Sequence, residues 1–432
     1  MTMSKEIIRN AYEAWNAASE LRARRLRCKR YAYGDQWCDI VRDSKGRLRV
    51  ERDVIEEAGD RAVTNNLIRQ LVKTIVGRYR AESKNAGPYA GMERIAERNE
   101  LGELDSRLLE EFLISGCAIQ RISEEERFGE RRLWIDNVDP AHFFVNRFKD
   151  PRGWDIDLAG MLHDMTFPEL VSRFARGSAA RAEALQRLYG GSASPLESCG
   201  NIGGACGNPD FFRADSPGRC RVAELWTIDS HTLTDGDDLA LRFRWHCRWL
   251  APDGTVLDEY DSPYGHGSHP FAVKFYPLTD GEVHSFVEDM LEQQRTVNRM
   301  LVLIDRIIAS TAKGVLLFPI DQIAEGMTWK EICNRWAQAD GVIPISGRGE
   351  HLPQQVMNNP GDAGAYQYLQ LQMKLFEDIS GVNESLAGSS HAGTRGAELY
   401  ESQVRNATIA LGDIFETYAS FIRSRNAKAL DC

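Results

Sequence analysis

The 432-residue chain contains no run of about eighteen uncharged apolar residues, and its opening MTMSKEIIRN lacks the apolar stretch of a secretory signal. Neither a membrane span nor export is expected, so the cytosol is the expected setting. A phosphate cradle is also missing. No G-x-x-x-x-G-K-[ST] occurs, since GSSHAGTRG and SGRGEH both lack the Lys-Ser/Thr ending, and this excludes a P-loop motor. H-E-x-x-H, G-x-S-x-G and G-x-G-x-x-G are absent too, which removes the usual signals for a zinc protease, a serine hydrolase and a dinucleotide enzyme. No cofactor is implied. Net positive charge is lacking as well: 53 Lys and Arg against 63 Asp and Glu leave −10, so tight DNA binding by phosphate neutralisation is not expected to be its main work.

The nine cysteines are odd in number and scattered from Cys28 to Cys432, without the short paired spacings of a disulfide framework. Cys199, Cys206 and Cys220 gather in a Gly-rich stretch, yet neither C-x6-C nor a following His pair fits a zinc pattern, and no metal is expected. Catalytic groups are equally hard to assemble. The paired acids Glu110 with Glu111, Glu124 to Glu126, and Asp237 with Asp238 read as solvated faces or turns. His391 lies beside Ser389 and Ser390 in a Gly-rich segment, but no acid or oxyanion element accompanies it, so no catalytic residue is assigned. Arg244, Trp245, His246 and Trp249 share a strand where aromatic alternation means packing.

What the chain does have is strong periodicity. Residues 4–30 read as one helix, and its segment LRARRLRCKR carries Arg22, Arg24, Arg25, Arg27, Lys29 and Arg30, either a solvated face or a contact surface. A core helix capped by Thr64 or Asn65 follows, with Leu67, Ile68, Leu71, Val72, Ile75, Val76 and Tyr79 at helical spacing, and a third is expected from about Met92 to Ile119. From Arg131 the period falls toward two in LWIDNVDPAHFFV, RVAELWTI, LRFRWHCRWL and HPFAVKFY, interrupted by a helical segment near Phe167 to Leu188 and a Gly/Ser-rich loop. Helix returns at His284, with Phe286, Met290, Val297, Leu301, Ile304 and Ile308 aligned. A small α/β insertion follows, then a helix from Asp362 to Ile379, then GVNESLAGSSHAGTRG. The last helix keeps Tyr400, Val404, Ala407, Leu411, Phe415, Tyr418 and Ile422 in step and is expected to stop six or seven residues before the end. The fold class is α+β.

The order and wording of these pieces resemble the portal family of tailed double-stranded DNA bacteriophages. The phrases are YAYGDQW, TNNLIRQLVKTIVGRYR, VDPAHFFVN, HPFAVKFYPLTDGEVHSFVEDMLEQQRTVNRML with Gln294 and Asn298 in a Gln-x-x-x-Asn arrangement, and ISGVNESLAGSSHAGTRGAELYESQ. The resemblance implies a wing over 1–283, a descending stem helix over 284–312, a clip over 313–361 and a returning stem helix over 362–380. It further implies a tunnel loop over 381–396 and a C-terminal helix over 397–432 with the crown absent or vestigial. The implied assembly is a homo-oligomeric ring, a dodecamer, forming the DNA channel at one capsid vertex of the virion for genome packaging and ejection, after assembly in the host cytoplasm. Implied partners are the terminase large subunit, the major capsid protein, a head-tail adaptor and the passing double-stranded DNA, with no membrane. The channel residues implied are Asn383, Glu384, Ser385, Ser389, Ser390, His391, Thr394 and Arg395, and the run from Arg22 to Arg30 becomes a candidate capsid or nucleic-acid contact. A nucleic-acid-processing enzyme of phage origin is the alternative.

Overall fold

A computed structural model describes residues 2–87, 89–127, 129–190, 210–235, 238–311, 315–319, 323–324, 326–337, 343–345, 354–356, 362–382 and 411–432. Along the chain the helices are α1 (Thr2–Ala17), α2 (Ser19–Ala32), α3 (Glu51–Glu57), α4 (Leu67–Ala86), α5 (Glu93–Arg98), α6 (Leu101–Ser115), α7 (Phe167–Phe174), α8 (Ala179–Tyr189), α9 (Phe286–Thr311), α10 (Trp329–Ala337), α11 (Asp362–Ser380) and α12 (Gly412–Leu430). The strands are β1 (Ile40–Arg42), β2 (Leu48–Val50), β3 (Cys117–Arg127), β4 (Glu130–Asn137), β5 (Phe143–Val145), β6 (Leu158–Thr166), β7 (Arg219–Asp235), β8 (Asp238–Leu250), β9 (Val256–Asp261), β10 (Phe271–Phe275), β11 (Pro277–Thr279), β12 (Glu282–Val283), β13 (Val315–Leu317) and β14 (Gln354–Val356). The mixture is α+β, and it divides into two compact units: residues 1–36, 66–294 and 377–432 form one, residues 37–65 and 295–376 the other.

The larger unit is built on two antiparallel sheets, ordered β10-β3-β4 and β5-β6-β7-β8-β9. Trp226, Trp249, Val222 and Phe271 are among the buried side chains of its main core, and α7 and α8 contribute Leu170, Phe174, Leu185 and Tyr189 to the same cluster. Burial of so much aromatic and β-branched surface is the principal stabilising term. In the smaller unit α9 brings Arg295 and Arg299 onto the buried carboxylate of Glu51 at 2.9 and 2.5 Å, which fixes α3 beside it.

Three boundaries differ from the sequence expectation. The helix expected over 4–30 is two helices, because Ala18 leaves helical geometry (φ −91°, ψ 13°) and lets the Arg22 guanidinium settle 3.6 Å from the Trp15 ring centroid while donating to the Trp15 carbonyl. Here a tertiary contact outweighs uninterrupted helix propensity. The helix expected from Met92 to Ile119 is also two. It breaks at Asn99, whose side chain donates to the Leu133 carbonyl and accepts from the Ile135 amide of β4, and at Glu100, whose φ is +50°. It then ends at Gly116 (φ +73°), where a Cβ would lie 2.9 Å from Val283 and 3.1 Å from the Tyr276 carbonyl, so β3 starts inside the expected helix. At the other end α12 runs on to Leu430, since Arg425 and Ala429 are core positions.

Candidate functional site

The basic run on α2 is turned largely inward. Arg22 and Arg25 are buried. Arg25 pairs with Glu111 at 2.6 Å and Asp139 at 3.0 Å, Arg24 with Glu288 at 3.4 Å, and Arg27 with Glu292 at 3.3 Å. Arg22 has no acidic partner among the described residues, and burial lowers its pKa to about 10. Lys29 and Arg30 alone close the run partly exposed and without an acidic partner among the described residues. The acids on α6 are correspondingly not solvated: Glu111 holds Arg25, while Glu110 is buried and accepts from Tyr33 at 2.9 Å, from Arg69 and from Arg107. Their reading as an exposed face is corrected, the physical reason being that each meets an arginine from another element.

The phrase YAYGDQW folds as a turn whose business is the start of α4. Gly34 takes φ +97°, which lets Gln36 come back to donate to the Tyr31 carbonyl at 2.9 Å and to Asn66 Oδ1 at 3.0 Å. Asn66, rather than Thr64 or Asn65, is the N-cap, accepting from the Arg69 amide at 2.9 Å. Gln294 Oε1 then accepts from the Leu67 and Ile68 amides at 2.9 and 3.2 Å. In the smaller unit Asn298 Oδ1 accepts from the Asn65 amide at 3.1 Å. The Gln-x-x-x-Asn spacing puts two amide side chains one turn apart on α9, and each satisfies backbone donors that would otherwise lack partners.

The C-terminal helix is held by buried charge. Arg425 and Asp105 both have fully buried side chains and bond at 3.0 and 3.2 Å, and Arg425 also donates to Gln120 Oε1 at 3.0 Å. Gln120 Nε2 returns to Asp105 at 3.0 Å, and the Tyr89 hydroxyl donates to it at 2.9 Å. Tyr418 donates to the Asp105 carbonyl. Burial, with the Asp105 charge adding to it, pushes the Tyr89 and Tyr418 hydroxyls far above the ordinary tyrosine range, so both stay protonated donors. Further along, Lys428 donates to the carbonyls of His269 and Phe271 at 2.9 and 2.7 Å, and burial lowers its pKa to about 8. Those carbonyls lie on and beside β10, the edge strand of its sheet, so α12 covers that edge. The sequence reading missed Asp105 and Arg425. Arg425 does fall in step with Tyr418 and Ile422 on the apolar stripe, which was the available signal.

A second buried network sits in the large sheet. Glu224 accepts from Arg121 at 3.0 Å, His163 at 2.8 Å and Trp226 at 2.9 Å, and Arg121 also meets Glu125 at 2.9 Å. Trp249 packs at 1% exposure with Arg173 over its ring, in agreement with the packing role expected for that strand. Among the described residues, His142, Asp164 and Asp215 converge as possible metal ligands, but the buried Arg221 pairs with Asp164 at 2.6 Å and Asp215 at 2.8 Å and already supplies the positive charge. Cys220 is a buried free thiol, whereas Cys199 and Cys206 lie outside the described residues.

Asn383, Glu384, Ser385, Ser389, Ser390, His391, Thr394 and Arg395 also lie outside the described residues. Their flanks are firm. α11 ends with Ser380 Oγ donating to the Glu377 carbonyl at 3.0 Å and accepting from the Val382 amide at 3.2 Å across Gly381 (φ +65°), and Val382 is buried. On the far side Leu411 is buried ahead of α12. Both flanks belong to the larger unit.

The Arg25–Glu111, Arg121–Glu224 and Arg425–Asp105 pairs described above are buried or partly buried charges that find their partners within the chain. The family model for phage P22-like portal proteins matches residues 92–432, and the chain belongs to that family. Its role is accordingly that of a phage portal protein at the capsid vertex used for genome packaging. The match starts at Met92, so YAYGDQW and the α4 phrase stand outside it. No curated protein matches the chain. The nucleic-acid-processing alternative finds no support. No helix among the described residues is long and apolar enough to cross a membrane.

Proposed function

We propose that copies of the chain form a closed ring, a dodecamer in the virion, in which residues 1–283 are the wing, 284–312 and 362–380 the stem, 313–361 the clip and 381–396 a tunnel loop facing the DNA. Residues 397–432 carry the C-terminal helix. The ring docks the terminase large subunit during packaging and the head-tail adaptor afterwards, sits against the major capsid protein, and passes the genome without gripping it. It assembles in the host cytoplasm.

The observation that carries this reading is the surface of α11. In the single chain Gln372 and Phe376 are its buried residues within the smaller unit, while Tyr368 and Leu371 to one side and Tyr366 and Met373 to the other are all at least 39% exposed. A helix apolar on both flanks of its buried stripe supports neighbours on two sides, the heterologous arrangement that closes into a ring, rather than one two-fold partner. Leu303 and Ile308 of α9 are likewise exposed. Native mass spectrometry and particle images test the proposal. Rings of several hundred kilodaltons with cyclic symmetry are expected, and only monomers and two-fold dimers at high concentration would refute it.

A further inference from the structure

Trp154 is 77% exposed, more than any other large apolar side chain among the described residues. The loop that carries it, between β5 and β6, is nevertheless closely bonded. The Asp155 carboxylate accepts from the Lys149 amide at 2.6 Å and the Asp150 amide at 3.1 Å, and the Asn146 side chain donates to the Asp155 carbonyl at 3.0 Å. Arg152 pairs with Asp150 at 2.8 Å and rests 3.9 Å from the centroid of the indole ring. The indole N–H has no acceptor among the described residues, and the exposed Arg147 and Lys149 of the same loop have no acidic partner there. An aromatic side chain already held in place loses little freedom on docking, so Trp154 suits the part of a knob accompanied by two free cations.

A groove of about 620 Å³ on the same compact unit has the matching chemistry and is large enough for an indole ring. Tyr89, Ala96 and Leu101 are among its lining residues, and the exposed Glu93, Glu97 and Glu100 add carboxylates. Glu97 and Glu100 make no ion pair among the described residues. Knob and groove lie at opposite margins of the sheet ordered β10-β3-β4. Lys274 of β10 donates to the Pro151 carbonyl of the Trp154 loop at 2.9 Å, whereas Asn99, just after α5, bonds Leu133 and Ile135 of β4. The knob does not enter the groove of its own chain, whose lining comes from residues 87–103. One copy thus offers a different surface on each side, as a head-to-tail contact requires.

We infer that Trp154 of one copy seats in the groove lined by Tyr89, Ala96 and Leu101 on a second copy of this chain, with Arg147 and Lys149 against Glu97 and Glu100. The inference rests on the ring reading above and names a contact that ties one copy to the next. Burial of the indole gives such a joint its affinity. The glutamates offer acceptors to its N–H and opposite charge to the two cations, which fixes the register. Because knob and groove are different surfaces, the contact is heterologous and repeats around a ring.

The test follows assembly of the full chain by native mass spectrometry. Trp154→Ala removes the knob, and Ala90→Trp, at an exposed lining position, fills the groove. Each should raise the concentration needed for half-assembly by about tenfold or more, while thermal unfolding of the unassembled chain stays as in the wild type. Arg147→Glu with Lys149→Glu should act in the same direction, and Glu97→Lys with Glu100→Lys in the same chain should restore assembly. Zero-length carbodiimide cross-linking of rings assembled from an equal mixture of isotopically light and heavy protein should join Lys149 to Glu93, Glu97 or Glu100 in peptides of mixed isotope. If the unaltered protein forms no ring, the ring reading has failed, and the inference with it. If rings form but these links are missing or confined to one isotope, and the variants assemble like the wild type, the inference alone is overturned. Links from Lys149 to a capsid or scaffold protein in co-assembled particles would overturn it too, by assigning the knob another socket.

Discussion

Replacing Arg425 with Met isolates the contribution of the buried network under the C-terminal helix. Met keeps much of the side chain's length and apolar volume, so packing along α12 is largely preserved. What disappears is the guanidinium that donates twice to Asp105 and once to Gln120. Asp105 remains fully buried with only Gln120 and Tyr89 donating to its carboxylate, and breaking a buried pair from one side costs about 3–5 kcal/mol because the surviving charge is left uncompensated. Urea unfolding followed by tyrosine and tryptophan fluorescence should register that loss, and hydrogen exchange should show α12 amides losing protection before those of β3. Arg425→Lys should fall between wild type and Met, since a point charge cannot reproduce the fork that spans Asp105 and Gln120. The double variant Asp105→Leu, Arg425→Met removes both charges and should be less destabilised than Arg425→Met alone. A cost below about 1 kcal/mol for Arg425→Met, or a double variant worse than the sum of its singles, would refute the argument that this pair pins the helix.

Gln294→Ala should destabilise the protein by about 1–2 kcal/mol, because the Leu67 and Ile68 amides lose their acceptor while Asn66 still caps Arg69; thermal unfolding measures it. For Glu125, burial pushes the pKa up, but Arg121, Arg173 and Arg127 outweigh it and bring it to about 2 from 4.5. Its stabilisation is therefore complete above about pH 4.5 and lost as pH falls toward 2. Compared with Glu125→Gln, the wild type should lose about 2–3 kcal/mol more stability between pH 5 and pH 2, and equal acid sensitivity of the two would contradict the pairing. Deleting residues 389–393 should leave ring size on native mass spectrometry unchanged while lowering packaged DNA in an in vitro packaging assay, and failure of the deleted chain to assemble would assign the segment a structural role instead.

The parts of this fold legible in the sequence are those where one residue's pattern position and its packing agree. α4 and α9 are long, their apolar residues fall every third or fourth place, and burial of Ile68, Leu71, Val72, Ile75 and Val76 on one side and Met290, Val297 and Ile304 on the other follows the stripe. The sites were harder because they depend on polar residues in places where charge normally signals solvent. Arg25, Glu110, Asp105 and Arg425 each look like surface residues of amphipathic helices, and partners 41 to 320 residues away in sequence turn them into interior ones. Periodicity reports which face of a helix is buried, but it treats a buried arginine as a gap in the stripe. The stripe of α12 shows the remedy: Tyr418, Ile422, Arg425 and Ala429 continue at steps of three and four, so a charged residue in register with buried neighbours on both sides is itself a core position. Such a residue demands an opposite charge of equal burial elsewhere in the chain. Asp105 meets that demand on α6, where it lies in register with the buried Leu101, Leu108, Leu109 and Phe112, so the two interruptions are each other's explanation.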